Sequence, residues 1–162
     1  MHDYQAVIQV PFGALGISMN ADRLSGIDFI SGPVEPMAVN DSASEVVERV
    51  RRYLRDPKSS LEIGLELQGT DFQQRVWRRL LEIPLGTTVT YGQLAAELGS
   101  SARAIGNACR SNPCPLVVPC HRVVSQNGLG GFSGQLAGPK LEIKRWLLAH
   151  EGYLDDGLER VD

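Results

Sequence analysis

The spacing of apolar residues changes along the chain, and this change constrains the fold more than any other feature. In the first part, three short β-rich runs separated by turn residues, "YQAVIQV", "GALGISM" and "LSGIDFI", predict a small antiparallel sheet. The stretch "SASEVVERVRRYLRD" then has helical apolar spacing, with Ser42 or Ser44 as the predicted N-cap. After a break at "DPKSS", a linker-like stretch extends to about Gly69. We therefore expect an α+β protein, with a sheet-plus-helix domain over residues 1–66 and a mainly helical domain over residues 67–162.

The helical part contains three segments with clear N-terminal signals. Thr70 opens a capping box at the start of "GTDFQQRVWRRLLEIPLG". The stretch "TYGQLAAELGSSARAIGNACRSNP" predicts two short helices joined by a tight turn at Gly99. Thr90 is the predicted cap of the first of these helices, and Ser100 or Ser101 that of the second. This spacing is typical of a helix-turn-helix, and core scaffolding is the alternative.

The second helix of this pair has one basic face. At 100° per residue, Arg103, Asn107 and Arg110 fall within about 60° of one another. The residues that point away from them are Ala102, Ile105, Ala108 and Cys109. We expect one face to pack against the protein and the other to contact a polyanion, with a solvated surface as the alternative.

The charge distribution agrees with a nucleic-acid partner. Residues 72–145 carry nine Lys or Arg against three Glu, a formal charge of +6, while the remainder of the chain carries −9. The overall charge of −3 therefore hides a basic segment that can neutralise phosphates. Small residues such as Ala102 and Gly106 on the basic helix would let a large partner approach closely.

A cysteine stands in an otherwise strand-like run, "SNPCPLVVPCHRVV". Pro115 and Pro119 restrict the backbone around Cys120, so we expect a rigidly presented thiol. A neighbouring imidazole or a cation such as Arg122 lowers the pKa of a thiol and makes it nucleophilic. Because adjacent side chains in a strand point to opposite faces, His121 can serve Cys120 only if the chain bends or through a water. The alternative is a cysteine buried as a small apolar residue.

The cysteines and His121 near this run could instead form a metal site or the active site of a cysteine hydrolase. The spacing of Cys109, Cys114, Cys120 and His121 lacks the close cysteine pairs of structural zinc sites, so we expect no metal. A hydrolase would leave the basic helix unexplained. The chain shows no secretion signal and no apolar run of about 18 residues, so we expect a cytoplasmic protein without a membrane partner.

Four motifs together resemble the O6-alkylguanine-DNA alkyltransferases. They are "FQQRVWRRLLEIPLGTTVTYGQLAAELG", "ARAIGNACRSNP", "PCHRVV" and "GGFSGQLAGPKLEIKRWLLAHEG", and they cover about residues 68–152. The resemblance implies a ribonuclease-H-like first domain and a helix-turn-helix that reads the minor groove of double-stranded DNA. It implies irreversible transfer of an alkyl group from O6 of a flipped-out guanine, and also from O4 of thymine, to a cysteine without a cofactor. It implies a monomer, and cooperative packing along DNA is left open.

The resemblance also implies roles for individual residues. Cys120 is the alkyl acceptor, His121 takes its proton through a water, and Glu151 orients the histidine. Tyr91 donates a proton to the leaving guanine, and Asn112 is the hinge that fixes the reactive loop against the recognition helix.

The remaining matches concern DNA and the flipped base. Arg103 corresponds to the finger that fills the gap left by the extruded nucleotide. The other expected contacts with DNA or base are made by Ala102, Gly106, Asn107, Arg110, Arg122, Val123 and Ser133. Position 132 is Phe where many relatives have Tyr, and a subgroup that binds lesions without repair has Trp at the acceptor position. A non-repairing lesion-binding protein and a thiol hydrolase stay as alternative functions.

Overall fold

The computed structural model describes residues 4–32, 34, 35, 37, 39–130 and 139–153. It is a mixed α/β structure that divides into two compact units. The first unit contains the chain up to Gln68 together with Pro113–Val117, and the second contains Gly69–Asn112 and the chain from Val118 onward. The domain assignment 1–66 and 67–162 stays a prediction.

The first unit is built on a three-stranded antiparallel sheet in the order β1-β2-β3. Its strands are β1 (Ala6–Val10), β2 (Gly13–Asn20) and β3 (Arg23–Ile30), so the three β-rich runs of the sequence form the expected strands. Alternating apolar residues supply the buried face, with Ile8, Ile17 and Ile27 among the core side chains.

The stretch that the sequence indicates as linker-like, up to about Gly69, pairs with the sheet at one point. Leu24 of β3 donates its N–H to Gly64 O at 2.9 Å and accepts from Glu66 N at 2.9 Å. This short parallel bridge satisfies backbone groups at the sheet edge.

Helix α1 (Ser44–Arg55) forms where its apolar spacing predicts, but neither Ser42 nor Ser44 is its N-cap. Asn40 caps a short 3-10 turn over Asp41–Ala43, accepting from Ser42 N at 3.1 Å, and α1 continues directly from that turn. Ser44 Oγ instead donates to Asp41 O at 2.9 Å. The capping interaction therefore lies one turn earlier than the serine pattern indicates.

The second unit contains four further helices among the described residues: α2 (Asp71–Leu80), α3 (Tyr91–Leu98), α4 (Ala102–Arg110) and α5 (Pro139–His150). Thr70 and Thr90 both form complete capping boxes, as predicted. Ser101, rather than Ser100, caps α4 by accepting from Ala104 N. Gly99 ends α3 with φ +64°, a conformation that favours glycine.

A short parallel pairing brings two parts of the second unit together. Strand β4 (Val89–Thr90) pairs with β5 (Val123–Val124). Tyr91 follows β4 directly, and Cys120–Arg122 precede β5 directly, so this pairing holds the start of α3 beside the cysteine-containing turn. Within the described ranges, no helix combines the length and the apolar character that crossing a membrane requires.

Candidate active site

The segment around Cys120 is a turn, not the strand that its composition suggests. Cys120–Arg122 form a single 3-10 turn, in which Arg122 N donates to Pro119 O at 3.0 Å. Strand structure begins only at Val123. The chain thus bends at His121. Such a bend is what a direct interaction of His121 with Cys120 requires, because adjacent side chains in a strand point to opposite faces. The Cys120 side chain is buried, since the residue is only 5% exposed.

His121 is held by a carboxylate from the end of α5. Its Nε2 lies 2.9 Å from Glu151 Oε2, and the two side chains are 0% and 1% exposed. Nδ1 of His121 is buried and makes no hydrogen bond within the described part of the chain. Because an ionised carboxylate can only accept, Nε2 carries the proton and Nδ1 presents its lone pair.

Arg122 fixes Glu151 from the other side. Its Nε donates to Glu151 Oε1 at 2.8 Å and its Nη2 to Oε2 at 2.9 Å, and Nη1 donates to Ile83 O at 2.7 Å. The guanidinium is therefore engaged within the protein, and this geometry favours a positioning role for Arg122. Its assignment to DNA contact stays a prediction.

The charges of this cluster follow from burial and pairing. Burial would raise the pKa of Glu151, but hydrogen bonds from His121 and Arg122 outweigh it and hold this pKa well below its usual range. Burial lowers the pKa of His121, and the Glu151 carboxylate only partly opposes this effect. The resting site therefore contains a neutral imidazole and an ionised carboxylate.

Among the cations, Lys144 lowers the pKa of the Cys120 thiol, and a direct effect of Arg122 on this pKa stays a prediction. Burial raises the pKa of the Cys120 thiol, opposed by a hydrogen bond with the Asn112 side chain and by the charge of Lys144. The resting thiol is therefore protonated, and its proton must be removed before attack.

Asn112 joins the end of α4 to the segment before the turn. Its Nδ2 donates to Val118 O at 2.8 Å, and the residue is buried. Since Val118 O also accepts from Cys120 N at 2.8 Å, one carbonyl connects Asn112 to the reactive residue. The role of Asn112 as a hinge stays a prediction.

Tyr91 begins α3, and its surroundings keep the hydroxyl protonated. Burial raises the pKa of Tyr91, with smaller contributions from Cys109 and Cys120, so the hydroxyl keeps its proton. Gly130, at φ +70°, packs so closely that a Cβ built there would lie 2.9 Å from Tyr91 Cε2. A larger residue at this position would displace the ring.

Helix α4 presents the predicted basic face. Arg103, Asn107 and Arg110 are exposed, whereas Ile105 and Ala108 are buried. Trp77 Nε1 anchors the packed side by donating to Ala108 O at 2.9 Å. The surface at Gly106 is open, because a Cβ built there would meet nothing within 4 Å.

Three further residues were predicted to contact DNA or the base, namely Ala102, Val123 and Ser133. Ala102 is exposed, although its helical position suggested the packed side. Val123 is buried in β5, and Ser133 lies outside the described residues. No group of three or more His, Cys, Asp or Glu within the described chain is arranged to hold a metal ion.

Lys144 and Gly130 lie at the site but were not predicted from the sequence. Lys144 is 0% exposed and donates from Nζ to Val123 O at 2.7 Å and to Leu129 O. It lies three residues after the buried Leu141 and three before the buried Leu147. A lysine on an apolar helix stripe is the signal that could have identified it.

These features are typical of one class of protein, the thiol enzymes: a buried cysteine is followed by a histidine that is held against an ion-paired carboxylate. Residues 71–153 match the family model of the 6-O-methylguanine DNA methyltransferase, DNA binding domain. The chain is 35% identical over 158 residues to a methylated-DNA–protein-cysteine methyltransferase of Methanosarcina acetivorans, covering 92% of this chain and 98% of that protein. The chain belongs to the methylated-DNA–protein-cysteine methyltransferase family.

Solved structures agree with this assignment. The O6-methylguanine methyltransferase of Mycobacterium tuberculosis is 34% identical and superposes with a TM-score of 0.75 over 93% of this chain and 94% of its own. The same organism's protein in complex with DNA is 33% identical, with a TM-score of 0.74 over 90% and 91% of the two chains.

Proposed function

We propose that this protein repairs DNA by direct reversal, moving an alkyl group from O6 of guanine to the sulfur of Cys120. The observation that carries the proposal is the buried thiol followed by His121, whose Nε2 is held by Glu151 while Nδ1 is directed to no described partner. Such a pair can take a proton from a thiol. Family membership supplies the reaction class.

The proposed transfer balances as a displacement at carbon. Cys120 gives its proton through a water to Nδ1 of His121, and the sulfur electron pair forms a bond to the alkyl carbon as the carbon–O6 bond breaks. The electrons of that bond pass to guanine, and the Tyr91 hydroxyl protonates its ring nitrogen. Exchange with solvent then restores Tyr91 and His121, and Cys120 stays a neutral thioether.

The buried position of Cys120 requires the base to leave the DNA stack. An alkyl carbon on a paired base cannot reach a thiol that is 5% exposed, so the nucleotide must be extruded into the site. We expect α3 and α4 to act as a helix-turn-helix whose second helix enters the minor groove. Arg103 would fill the vacated position, with Asn107, Arg110, Ala102 and Gly106 along the groove.

The proposal includes several finer expectations. The first unit is a ribonuclease-H-like domain, and the protein acts as a monomer on duplex DNA without a cofactor. O4-alkylthymine is a second substrate. Ser133, which lies outside the described residues, stays a predicted contact with the extruded base, and Val123 offers backbone groups to the edge of that base.

A duplex that contains one O6-methylguanine tests the proposal. We expect the base to revert to guanine while the protein gains one methyl group, and Cys120→Ser to abolish both changes. Cys114→Ser is the matched control and should transfer normally. Tight binding without transfer would indicate a lesion-binding protein, and repeated turnover would indicate a hydrolase.

A further inference from the structure

The corner between α3 and α4 is held by two arginines of α2. Arg79 Nε donates to Glu97 Oε2 at 2.7 Å, and its Nη2 donates to Glu97 Oε1 at 3.2 Å. Arg75 Nη2 donates to Leu98 O at 3.2 Å. Glu97 and Leu98 are the last residues of α3, and the turn at Gly99 that leads to α4 follows them directly. A bidentate pairing of arginine with a carboxylate fixes direction as well as distance, so the ion pair orients the end of α3 on α2.

The position of Glu97 is unfavourable unless a cation neutralises it. Glu97 stands in the last turn of α3, which contains no basic residue of its own. The carbonyls at the C-terminus of a helix carry partial negative charge, so a carboxylate there is repelled. Hydrogen bonding and the charge of Arg79 offset this repulsion and lower the pKa of Glu97 from its usual value. The end of α3 therefore depends on a cation that another helix supplies.

The C-terminal end of α4 is held by the same helix through a buried hydrogen bond. Trp77 Nε1 of α2 donates to Ala108 O at 2.9 Å. The backbone group that would continue the helical pattern onto this carbonyl, Asn112 N, donates to Cys109 O at 3.2 Å instead. The indole packs directly against Gly69, where a Cβ would lie 2.5 Å from Trp77 Cη2. Helix α2 thus fixes this end of α4 independently of the ion pair.

Arg103 lies close to the corner that Arg79 holds. It is the second residue of α4 and follows Glu97 by six positions. Since the C-terminal end of α4 is fixed at Ala108, the direction of its N-terminal end depends on what holds the corner. The position of the Arg103 backbone is therefore linked to the Arg79–Glu97 pair.

We propose that Arg79, through its ion pair with Glu97, is a positioning residue that aims Arg103 at the nucleotide to be extruded. The inference rests on the proposed function, since it takes Arg103 as the residue that fills the vacated position in duplex DNA. Loss of the pair frees the corner between α3 and α4, so Arg103 samples a wider range of positions before it enters the base stack. A free base needs no extrusion, and its reaction does not depend on the pair.

Glu97→Gln separates this role from simple electrostatics. The substitution removes one negative charge from α3, so attraction of phosphates alone predicts faster repair. We expect the opposite, a single-turnover rate with duplex O6-methylguanine that is lower by about 3-fold, the size that a partly exposed ion pair allows. Reaction with a free O6-alkylated guanine should keep the wild-type rate. Glu48→Gln, which breaks the exposed Arg52–Glu48 pair on α1, is the matched control and should change neither rate.

A double-variant cycle tests whether the pair acts through Arg103. If it does, Glu97→Gln should slow duplex repair in the wild type but have little further effect in Arg103→Ala, whereas independent effects would multiply. Urea unfolding establishes that each variant is folded. A duplex rate at or above that of the wild type in Glu97→Gln, or an undiminished loss in the Arg103→Ala background, would overturn the proposal.

The inference and the proposed function can fail separately. If the wild-type protein gains no methyl group from the duplex, the proposed function is contradicted. The positioning role is then judged by affinity for the same duplex, measured by fluorescence anisotropy for the wild type, the two single variants and the double variant. Weaker binding by Glu97→Gln that disappears in the Arg103→Ala background supports the positioning role. Binding as tight as that of the wild type, or tighter, contradicts it.

Discussion

At the scale of single residues, one carboxylate organises the reactive site. Glu151 accepts from His121 and from two nitrogens of Arg122, and all these hydrogen bonds are 2.8–2.9 Å long. The arginine keeps the carboxylate ionised and fixed, and the carboxylate fixes the tautomer of the histidine. Arg122 thus orients the carboxylate that holds His121, although its own positive charge lowers the pKa of His121.

Substituting Glu151 by Gln should weaken His121 as a base. The amide carries no charge to stabilise an imidazolium, and it leaves Arg122 without its counter-ion, so the apparent pKa of Cys120 should rise. We expect alkylation of Cys120 near neutral pH to slow by about 10-fold or more. The measurement is the rate of Cys120 modification by iodoacetamide across pH, read from fragment ions of peptide 111–122.

Glu142→Gln is the matched control for this variant, because Glu142 is an exposed carboxylate on α5, the helix that Glu151 directly follows. It should retain the wild-type profile. An unshifted profile in Glu151→Gln would show that the thiol does not depend on the His121–Glu151 pair.

The same residues predict that acid destabilises the fold in two stages. The pKa of His121 is lowered below its usual 6.5, so below pH 6.5 the unfolded chain binds a proton that the folded chain does not, and stability falls. The pKa of Glu151 is lowered from 4.5, so its contribution is present above pH 4.5 and is lost as the pH falls further. Each linked proton gives a slope of up to about 1.4 kcal/mol per pH unit.

Urea unfolding between pH 7 and pH 3 measures both stages. His121→Asn should remove the stage that begins near pH 6.5 and keep the more acidic one. A free energy of unfolding that does not change between pH 7 and pH 5 in the wild type would contradict the neutral, buried state of His121.

At the scale of elements, the helix starts position the reactive groups. Thr90 caps α3 through Gln93 N at 3.0 Å, and the next residue is Tyr91. The cap fixes the backbone at the start of α3 and therefore orients the Tyr91 side chain. Thr70 forms the equivalent capping box on α2, where no proposed catalytic residue follows.

These two caps form a matched pair of variants. Thr90→Ala and Thr70→Ala should each lower the free energy of unfolding by about 1 kcal/mol. Only Thr90→Ala should also slow methyl transfer, since it loosens the start of the helix that carries Tyr91. Urea unfolding and single-turnover transfer rates measure the two effects, and equal transfer rates in both variants would argue against a role for Tyr91 orientation.

The exposed face of α4 gives a prediction about base extrusion. Arg103→Ala should slow repair in duplex DNA by about 10-fold or more, because unstacking a base costs a few kcal/mol that the arginine helps to offset. Its reaction with a free O6-alkylated guanine should change little. Arg51→Ala, an exposed arginine on α1, is the control. Equal losses on duplex and free base would refute a role in extrusion.

How far the sequence predicts these elements depends on the range of the interactions that form them. The caps at Thr70 and Thr90 bond to a backbone N–H three residues away, so a short motif reveals them. The site does not follow from local pattern, because Glu151 meets His121 across 30 residues of chain. The pairing of His121 with Glu151 was predicted only from the resemblance to the alkyltransferase family.

The turn at Cys120 and the buried Lys144 were not predicted for a related reason. The β-branched run around Cys120 favours a strand, and the bend depends on prolines together with the packing of Arg122 against Ile83 and Glu151. From the sequence, Lys144 would be assigned to a solvated surface, because its burial depends on the packing of α5 against the carbonyls of Val123 and Leu129.

At the scale of the whole molecule, the basic segment carries less surface charge than its composition indicates. Arg122 and Lys144 are committed to internal partners, and Arg79 pairs with Glu97 at 2.7 Å. The exposed arginines of the segment, Arg103 and Arg110 on α4 together with Arg75 and Arg78 on α2, remain to supply charge for a polyanion. We expect the Cys120 thiol to react only once, because a thioether resists hydrolysis.

The most direct test of the account is therefore the stoichiometry and position of methyl transfer. The protein is incubated with an excess of duplex that contains O6-methylguanine, and both repaired base and modified protein are counted. We predict one guanine restored per protein molecule, with the methyl group in peptide 111–122 located by fragment ions at Cys120 and absent from Cys114. More than one repair per protein molecule, or a methyl group on Cys114, would contradict the account.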